Sequence, residues 1–275
     1  MPLFGRKKKT RESVFHTIKN EFKSYDEIHT ALREAGVETA NLIVGIDMTR
    51  SNLESGLKTF GGKSLHSVDN VEVSNPYMQS IRAVGRVLEK FDDDGKIPAF
   101  MFGDSFSKDK SVTPFFPDER SCNGVEDVLE TYVRNVPHTT LSGPTSFEPL
   151  ILKTIEIAKK QGGYYILMII CDGQVSDLKA NQRALIEASK YPISIVCVGV
   201  GDGPWEAMEN FDDNLPERKF DNFQFIPFDD VVNHPKDKSH FPKVKDSNMR
   251  IAMSALQEIP EQYEQIKKLG YLGQR

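Results

Sequence analysis

Cysteine is scarce in this 275-residue chain, with three in all: Cys122, Cys171 and Cys197. A sparse, odd set makes no disulfide framework. Cys171 and Cys197 lie inside apolar runs, where a free thiol packs as a small hydrophobe. A reducing compartment, the cytoplasm, is therefore expected. No C-x-x-C pair occurs, so these residues cannot supply a zinc ribbon or a RING finger. No apolar run reaches the roughly 18 residues of a transmembrane helix. The first residues lack the apolar stretch of a signal peptide, and Met1-Pro2 is no acceptor for N-myristoylation. Positive charge is also in deficit, 35 Lys and Arg against 40 Asp and Glu for a net −5, which argues against bulk nucleic-acid binding.

What is present is ordinary for a globular protein: 39% hydrophobic and 27% charged residues. A chain this long can bury a core without disulfides or structural zinc. The segmentation expected is a basic tail over 1–21, one domain over 22–268 and a short C-terminal tail over 269–275. The tail carries Arg6, Lys7, Lys8, Lys9 and Arg11. The plain reading is a solvated segment. The functional alternatives are a nuclear import signal or weak contact with anionic membrane, which five charges without an acyl chain support only marginally.

Along the domain, helical and strand-like segments alternate. A helix is predicted over Ser24 to Gly36, from its apolar period and its glycine stop. Asn41 to Asp47 has the continuous apolar run of a strand buried on both faces. Residues 52–75 read as a long loop with room for a small hairpin, and Asn75-Pro76 opens a helix. Strands follow over Ile97–Phe102, Tyr164–Cys171, Ile193–Val200 and Phe223–Phe228. Val112–Phe116 is a short edge strand, since Pro114 and Pro117 restrict it to an edge. Helices are predicted over Val125–Val133, Phe147–Lys160 and Asp177–Lys190, from Asp202-Gly-Pro-Trp205 onward, and over Met249–Leu269 as one closing helix. Asp92, Asp93 and Asp94 lack the spacing and closing glutamate of an EF-hand loop and read as a solvated turn. The alternation predicts an α/β fold: a doubly wound, mostly parallel, six-stranded sheet with helices on both faces. Ligands of such sheets bind outside the carboxyl ends of the strands, where strand order reverses.

Three loops at those ends carry oxygen donors. Asp47-Met-Thr49-Arg-Ser51 follows the first strand. Gly143-Pro-Thr145-Ser146 precedes the helix before the strand that ends at Cys171, and Asp172-Gly173 follows that strand. Alternation of Asp47, Thr49 and Ser51 lets a chain leaving a strand turn three side chains about one point. Each loop alone is commonplace, because an Asp after a strand often caps a turn or helix. Together they offer two carboxylates and at least three hydroxyls, a hard-cation donor set. Few carboxylates favour magnesium, with manganese and calcium as alternatives.

The same residues carry a family resemblance. Asp47-x-Thr49-x-Ser51, Thr145 and Asp172-Gly173 resemble the metal-ion-dependent adhesion site of von Willebrand factor A domains, with Thr49 where many members have serine. Leu42 to Asn52, Phe102-Gly-Asp104, Leu141 to Phe147, Asp172-Gly-Gln-Val175, Val198 to Trp205 and Phe220 to Phe225 resemble the copine-type module more specifically. That module occurs in copines and in a group of RING ubiquitin ligases best known from plants, and the likeness runs from about Phe22 to about Ile266. The resemblance implies that Thr49, Ser51 and Thr145 touch a metal through their hydroxyls. Asp47 and Asp172 would hold it directly or through water, and a partner's Asp or Glu would fill an open position. The implied role is an interaction module of intracellular signalling. Copines place two C2 domains before this module, so their calcium-dependent lipid binding is not carried over. With Cys197 the last cysteine, ligase activity by this chain alone is not expected; the recognition part of a ubiquitin-ligase system is the alternative.

Other chemistries fit less well. A magnesium-dependent phosphohydrolase with an aspartate nucleophile needs a second aspartate two residues on, where Thr49 stands. Gly199-Val-Gly-Asp-Gly203 lacks the spacing and position of a dinucleotide loop and reads as a turn. His16, His29, His66, His138, His234 and His240 are scattered without ligand spacing. Asp104 is a candidate to accept from a metal-bound water, with a loop role as the alternative. Trp205 is expected to pack at the sheet end.

Overall fold

Seven residues, Asn41–Asp47, form the central strand β1, and its side chains alternate between two cores. Leu42, Val44 and Ile46 face one core and Ile43 faces the other, the period of two that a strand imposes. The computed structural model describes residues 24–69, 74–92, 94–173, 175–213, 215–233, 244 and 246–273. The basic cluster Arg6–Arg11, His16, Asp93, His234 and His240 lie outside the described residues.

The elements run α1 (Tyr25–Glu34), β1, α2 (Pro76–Leu88), β2 (Lys96–Ile97), β3 (Ala99–Phe102), β4 (Thr113–Pro114), β5 (Cys122–Asn123), α3 (Gly124–Asn135) and α4 (Glu148–Gln161). They continue with β6 (Tyr165–Cys171), α5 (Leu178–Ala188), β7 (Ile193–Gly199), α6 (Glu206–Asp213), β8 (Phe223–Pro227), α7 (Phe228–Val232), α8 (Ser247–Leu256) and α9 (Ile259–Lys268). Six strands make one sheet in the order β4-β3-β1-β6-β7-β8. All its ladders are parallel except the edge pair β3–β4. The predicted mostly parallel, six-stranded α/β sheet is what the chain forms. Helices α1, α2, α3, α8 and α9 cover the face of Val44 and Met168. Helices α4, α5 and α6 cover the face of Ile43 and Leu167. Each fully buried aliphatic side chain stabilises the fold by about 1.5–3 kcal/mol, so truncating Ile43 or Leu167 to alanine would cost about 2–5 kcal/mol.

Helix starts follow the capping residues. Ser24, Asn75 and Asp177 each accept a backbone N–H of the first turn of α1, α2 and α5. Two boundaries differ from the sequence reading. The strand predicted over Ile97–Phe102 is two, because Pro98 cannot donate to a ladder. Ile97 pairs instead with Cys122 in a separate two-stranded antiparallel ladder. The closing helix is also two, broken at Gln257–Glu258 with Pro260 in the first turn of α9. Beyond α9, Tyr271 and Leu272 are partly buried against the core. Among the described residues no helix is long and apolar enough to cross a membrane.

The sheet order places β1 between β3 and β6, so the chain reverses direction across the sheet at β1. The crevice of an open α/β sheet lies at such a point. Asp47 ends β1, and Asp172 follows the last residue of β6.

Candidate metal centre

Asp47 and Asp172 are both buried, at 0% and 2% exposure, at the carboxyl ends of adjacent strands. A backbone turn brings the first loop over them. The Thr49 N–H donates to Asp47 Oδ1 at 2.8 Å, folding the chain back just past β1. Thr49 Oγ1 and Ser51 Oγ stand 3.0 Å apart, and the Ser51 hydroxyl donates to Asp172 Oδ1 at 3.0 Å. Four of the five expected ligands thus form one connected group. The other oxygen of Asp47, Oδ2, is buried and has no hydrogen-bond partner among the described residues. A buried carboxylate oxygen without a donor is costly.

Thr145 reaches the same end of the sheet through its loop. The Arg50 N–H donates to the Ser142 carbonyl at 2.8 Å, and the Ser142 N–H to the Met48 carbonyl at 3.2 Å. Three residues on, the Thr145 carbonyl accepts from both the N–H and the hydroxyl of Ser176, at 3.0 and 2.9 Å. The Thr145 hydroxyl makes no hydrogen bond with Asp47, Thr49, Ser51 or Asp172.

Electrostatics set the character of the group. Burial pushes the Asp47 carboxyl well above the usual range, and the charge of Asp172 adds to the rise. Burial raises Asp172 as well, while the Ser55 and Ser51 hydroxyls partly offset it. Two carboxylates in one dry site resist ionising together. A divalent cation would remove that conflict and occupy the orphaned oxygen of Asp47, so these residues fit a hard metal ion. Among the described residues no cluster of three or more His, Cys, Asp or Glu could hold a metal. Any metal here must lean on hydroxyls, which suits magnesium or manganese better than zinc.

Asp104 is held by its own loop. Its Oδ1 accepts from the Phe106 and Ser107 N–H groups at 2.7 and 3.0 Å, and its Oδ2 from the Ser107 hydroxyl at 2.8 Å. Burial would raise its pKa, yet these donors and Thr113 hold it below the usual range. The carboxylate closes its own loop, and the backbone of that loop is tied to the Leu141 segment by the Ser105 N–H donating to the Thr140 carbonyl at 3.0 Å.

Two contributors escaped the sequence reading. The Ser55 hydroxyl stands 2.8 Å from Asp172 Oδ2 and 2.9 Å from the Ser51 carbonyl, sharing one proton between them. Its i, i+4 spacing from Ser51 was the only available signal. His66 is buried beneath the site, at 4% exposure. Its Nε2 is 2.8 Å from the Asp47 carbonyl oxygen and its Nδ1 is 2.7 Å from the Tyr132 hydroxyl. The carbonyl can only accept, so Nε2 carries the proton and Nδ1 accepts from Tyr132. Asn75, the cap of α2, donates to the same hydroxyl at 3.2 Å. No spacing marked His66, because it sits in an aperiodic loop.

Loops across the sheet end brace this group. Asp202 accepts from the Lys58 and Thr59 N–H groups and the Thr59 hydroxyl. Gly201, at φ +90°, lets that strap close: a Cβ there would lie 2.5 Å from the Ser55 carbonyl oxygen. The glycine-rich stretch is thus a brace for Ser55. Trp205 packs on Phe225 at 5.5 Å between ring centroids, as expected.

A family model described as Copine matches residues 64–275. The chain is similar to E3 ubiquitin-protein ligase RGLG5 of Arabidopsis thaliana, 45% identical over 280 residues that cover 97% of this chain and 63% of the ligase. It is also similar to Copine family protein 2 of Caenorhabditis elegans, 47% identical over 255 residues that cover 91% of this chain and 3% of that protein. The chain therefore spans less than two thirds of the length of either relative. Among solved structures it is similar to manganese-loaded Plasmodium vivax TRAP protein, with a TM-score of 0.47, 12% identity and 72% of each chain covered. A second likeness is to proximal thread matrix protein 1 of the mussel byssus with a zinc-occupied MIDAS motif, with a TM-score of 0.43, 13% identity, and 85% of this chain and 48% of that one covered.

Proposed function

The chain belongs to the copine family, and from that premise we propose that it is a metal-dependent protein-binding module, in which Asp47, Thr49, Ser51, Thr145 and Asp172 hold a magnesium ion and a partner's aspartate or glutamate completes the shell. The observation that carries the reading is the orphaned Oδ2 of buried Asp47 beside a second buried carboxylate. Bound magnesium would supply the positive charge that attracts the partner's acid, since neutral hydroxyls leave much of that charge uncompensated. Manganese and calcium accept the same oxygen donors. The protein's own part is positioning. Thr49 N–H fixes one oxygen of Asp47, Ser51 and Ser55 fix Asp172, and His66 holds the Asp47 backbone. Three free, buried cysteines suit a reducing compartment, and we place the module in the cytoplasm.

The test is capture from cytosol on immobilised protein. Proteins retained with magnesium should elute with chelator and be missing from an Asp47→Ala column. Retention unchanged by both treatments contradicts the reading.

The 45% identity to a ubiquitin ligase favours a second, compatible role as the recognition part of a ubiquitin-transfer system. In extract supplied with ATP and ubiquitin, the captured proteins should then become ubiquitinated, and Asp47→Ala should abolish it. Captured proteins that stay unmodified contradict this role.

A further inference from the structure

An open groove of about 750 Å³ is lined by residues that adjoin the loops of the metal centre. The two are contiguous through the backbone. Arg50, on the groove rim, lies between Thr49 and Ser51. His66, in the groove lining, is hydrogen-bonded to the Asp47 carbonyl. Leu141, on the far wall, precedes Ser142, whose backbone pairs with the Thr49 segment.

The lining has two chemistries. Leu53, Val68, Val136 and Leu141 make it apolar, and Leu53 stays 48% exposed. Arg50 and Lys63 add two exposed cations, and neither side chain has an ion pair or hydrogen bond among the described residues. His66 is neutral and adds no charge, and Asp69 is the single acid on the lining among the described residues. In a chain of net charge −5, two unpaired cations beside one apolar groove run against the overall balance. They favour an anionic occupant there. A volume of several hundred Å³ accepts one or two side chains, not a folded surface.

We infer that the segment captured by the metal centre is an extended peptide of a protein partner that bears two acids and an apolar side chain: one acid for the metal, and the apolar residue and second acid for the groove edged by Arg50 and Lys63. The inference rests on the metal-site reading for its first acid, while the groove supplies the rest. The groove lining adjoins the ligand loop in the chain, so the three features should lie close together in the bound peptide.

Selection of displayed random linear dodecapeptides on the full chain with magnesium tests it. Enriched peptides should carry an acid, with an apolar residue and a second acid close by. The Arg50→Glu/Lys63→Glu double variant should bind a synthetic copy of the best peptide at least ~10-fold more weakly. Selection on that variant should keep the first acid and lose the second. Leu53→Asn should relax the apolar preference. All three residues are exposed and unbonded through their side chains, so folding should survive, as circular dichroism would show. Peptides retrieved equally by wild type and both groove variants would overturn the inference while leaving the metal reading standing. Peptides that bind equally with chelator, yet weaken in the double variant, would sink the metal reading and keep the groove. No enrichment under any condition would overturn the inference.

Discussion

His66 Nε2 lies 2.8 Å from the backbone carbonyl oxygen of Asp47, in a ring that burial keeps neutral by pushing its pKa down to about 4. The bond ties the position of a proposed metal ligand to a histidine that is not itself among the proposed ligands. It also places a titratable group under the site, between β1 and the Tyr132–Asn75 pair that leads to α2.

The pH dependence of stability follows from the direction of that shift. A histidine with a depressed folded pKa contributes stability fully above its ordinary value of 6.5. The contribution is lost as pH falls toward about 4, and amounts to up to about 3 kcal/mol. Denaturant unfolding of wild type between those limits should therefore lose more stability than the same titration of His66→Gln. Parallel curves for the two proteins would contradict the assignment.

Asp47 and Asp172 give the opposite sign. Their carboxyls are raised in the metal-free fold, so their contribution to stability is present at acid pH and is lost as pH rises through the raised values. Magnesium should offset that loss, by about 2.7 kcal/mol at a hundred times its dissociation constant. The gain in Tm on adding magnesium should grow from pH 5 to pH 8. Asp47→Asn should be more heat-stable than wild type without metal, by on the order of 2–4 °C, and should gain nothing from magnesium. A metal-induced shift of equal size in the variant would contradict this.

Ser55→Ala removes the donor to Asp172 Oδ2 while leaving all five proposed ligands in place. Loss of about 1 kcal/mol of positioning corresponds to roughly five- to tenfold weaker magnesium binding, measurable by calorimetry. Unchanged affinity would show that Ser55 plays no part in the site.

Gly103 has φ +76°, and a Cβ there would meet Thr49 Cγ2 at 2.3 Å. Gly103→Ala should cost about 1–3 kcal/mol and weaken metal binding by displacing Thr49. Thr49→Ser removes the clashing methyl and keeps the hydroxyl. The double variant should recover metal affinity, but not the part of the stability set by the strained backbone. Failure to recover affinity would mean the clash acts elsewhere.

The sheet was legible because its strands are continuous apolar runs: Leu42–Ile46 and Ile166–Cys171 could hardly be anything but buried parallel strands. Asp47 and Asp172 were legible because each ends such a run. Thr49 and Ser51 were found by alternation, and the structure joins them to both carboxylates. What escaped depends on contacts distant in sequence. Pro98 diverts Ile97 to Cys122, a partner 25 positions away. His66 and Ser55 lie in a stretch with no period, so only the folded chain brings them to Asp47 and Asp172. Asp104 stood at a strand end like Asp47 and Asp172. Only its surroundings show that its own loop satisfies its carboxylate.

Manganese, whose anomalous scattering marks its position, offers the most direct measurement. Crystals of the full chain grown with manganese should show one strong anomalous peak at a bonding distance of about 2 Å from the Ser51 and Thr145 hydroxyls and bounded by Asp47 and Asp172. Absence of a peak there, or a peak that the Thr145 hydroxyl cannot reach, would contradict the account.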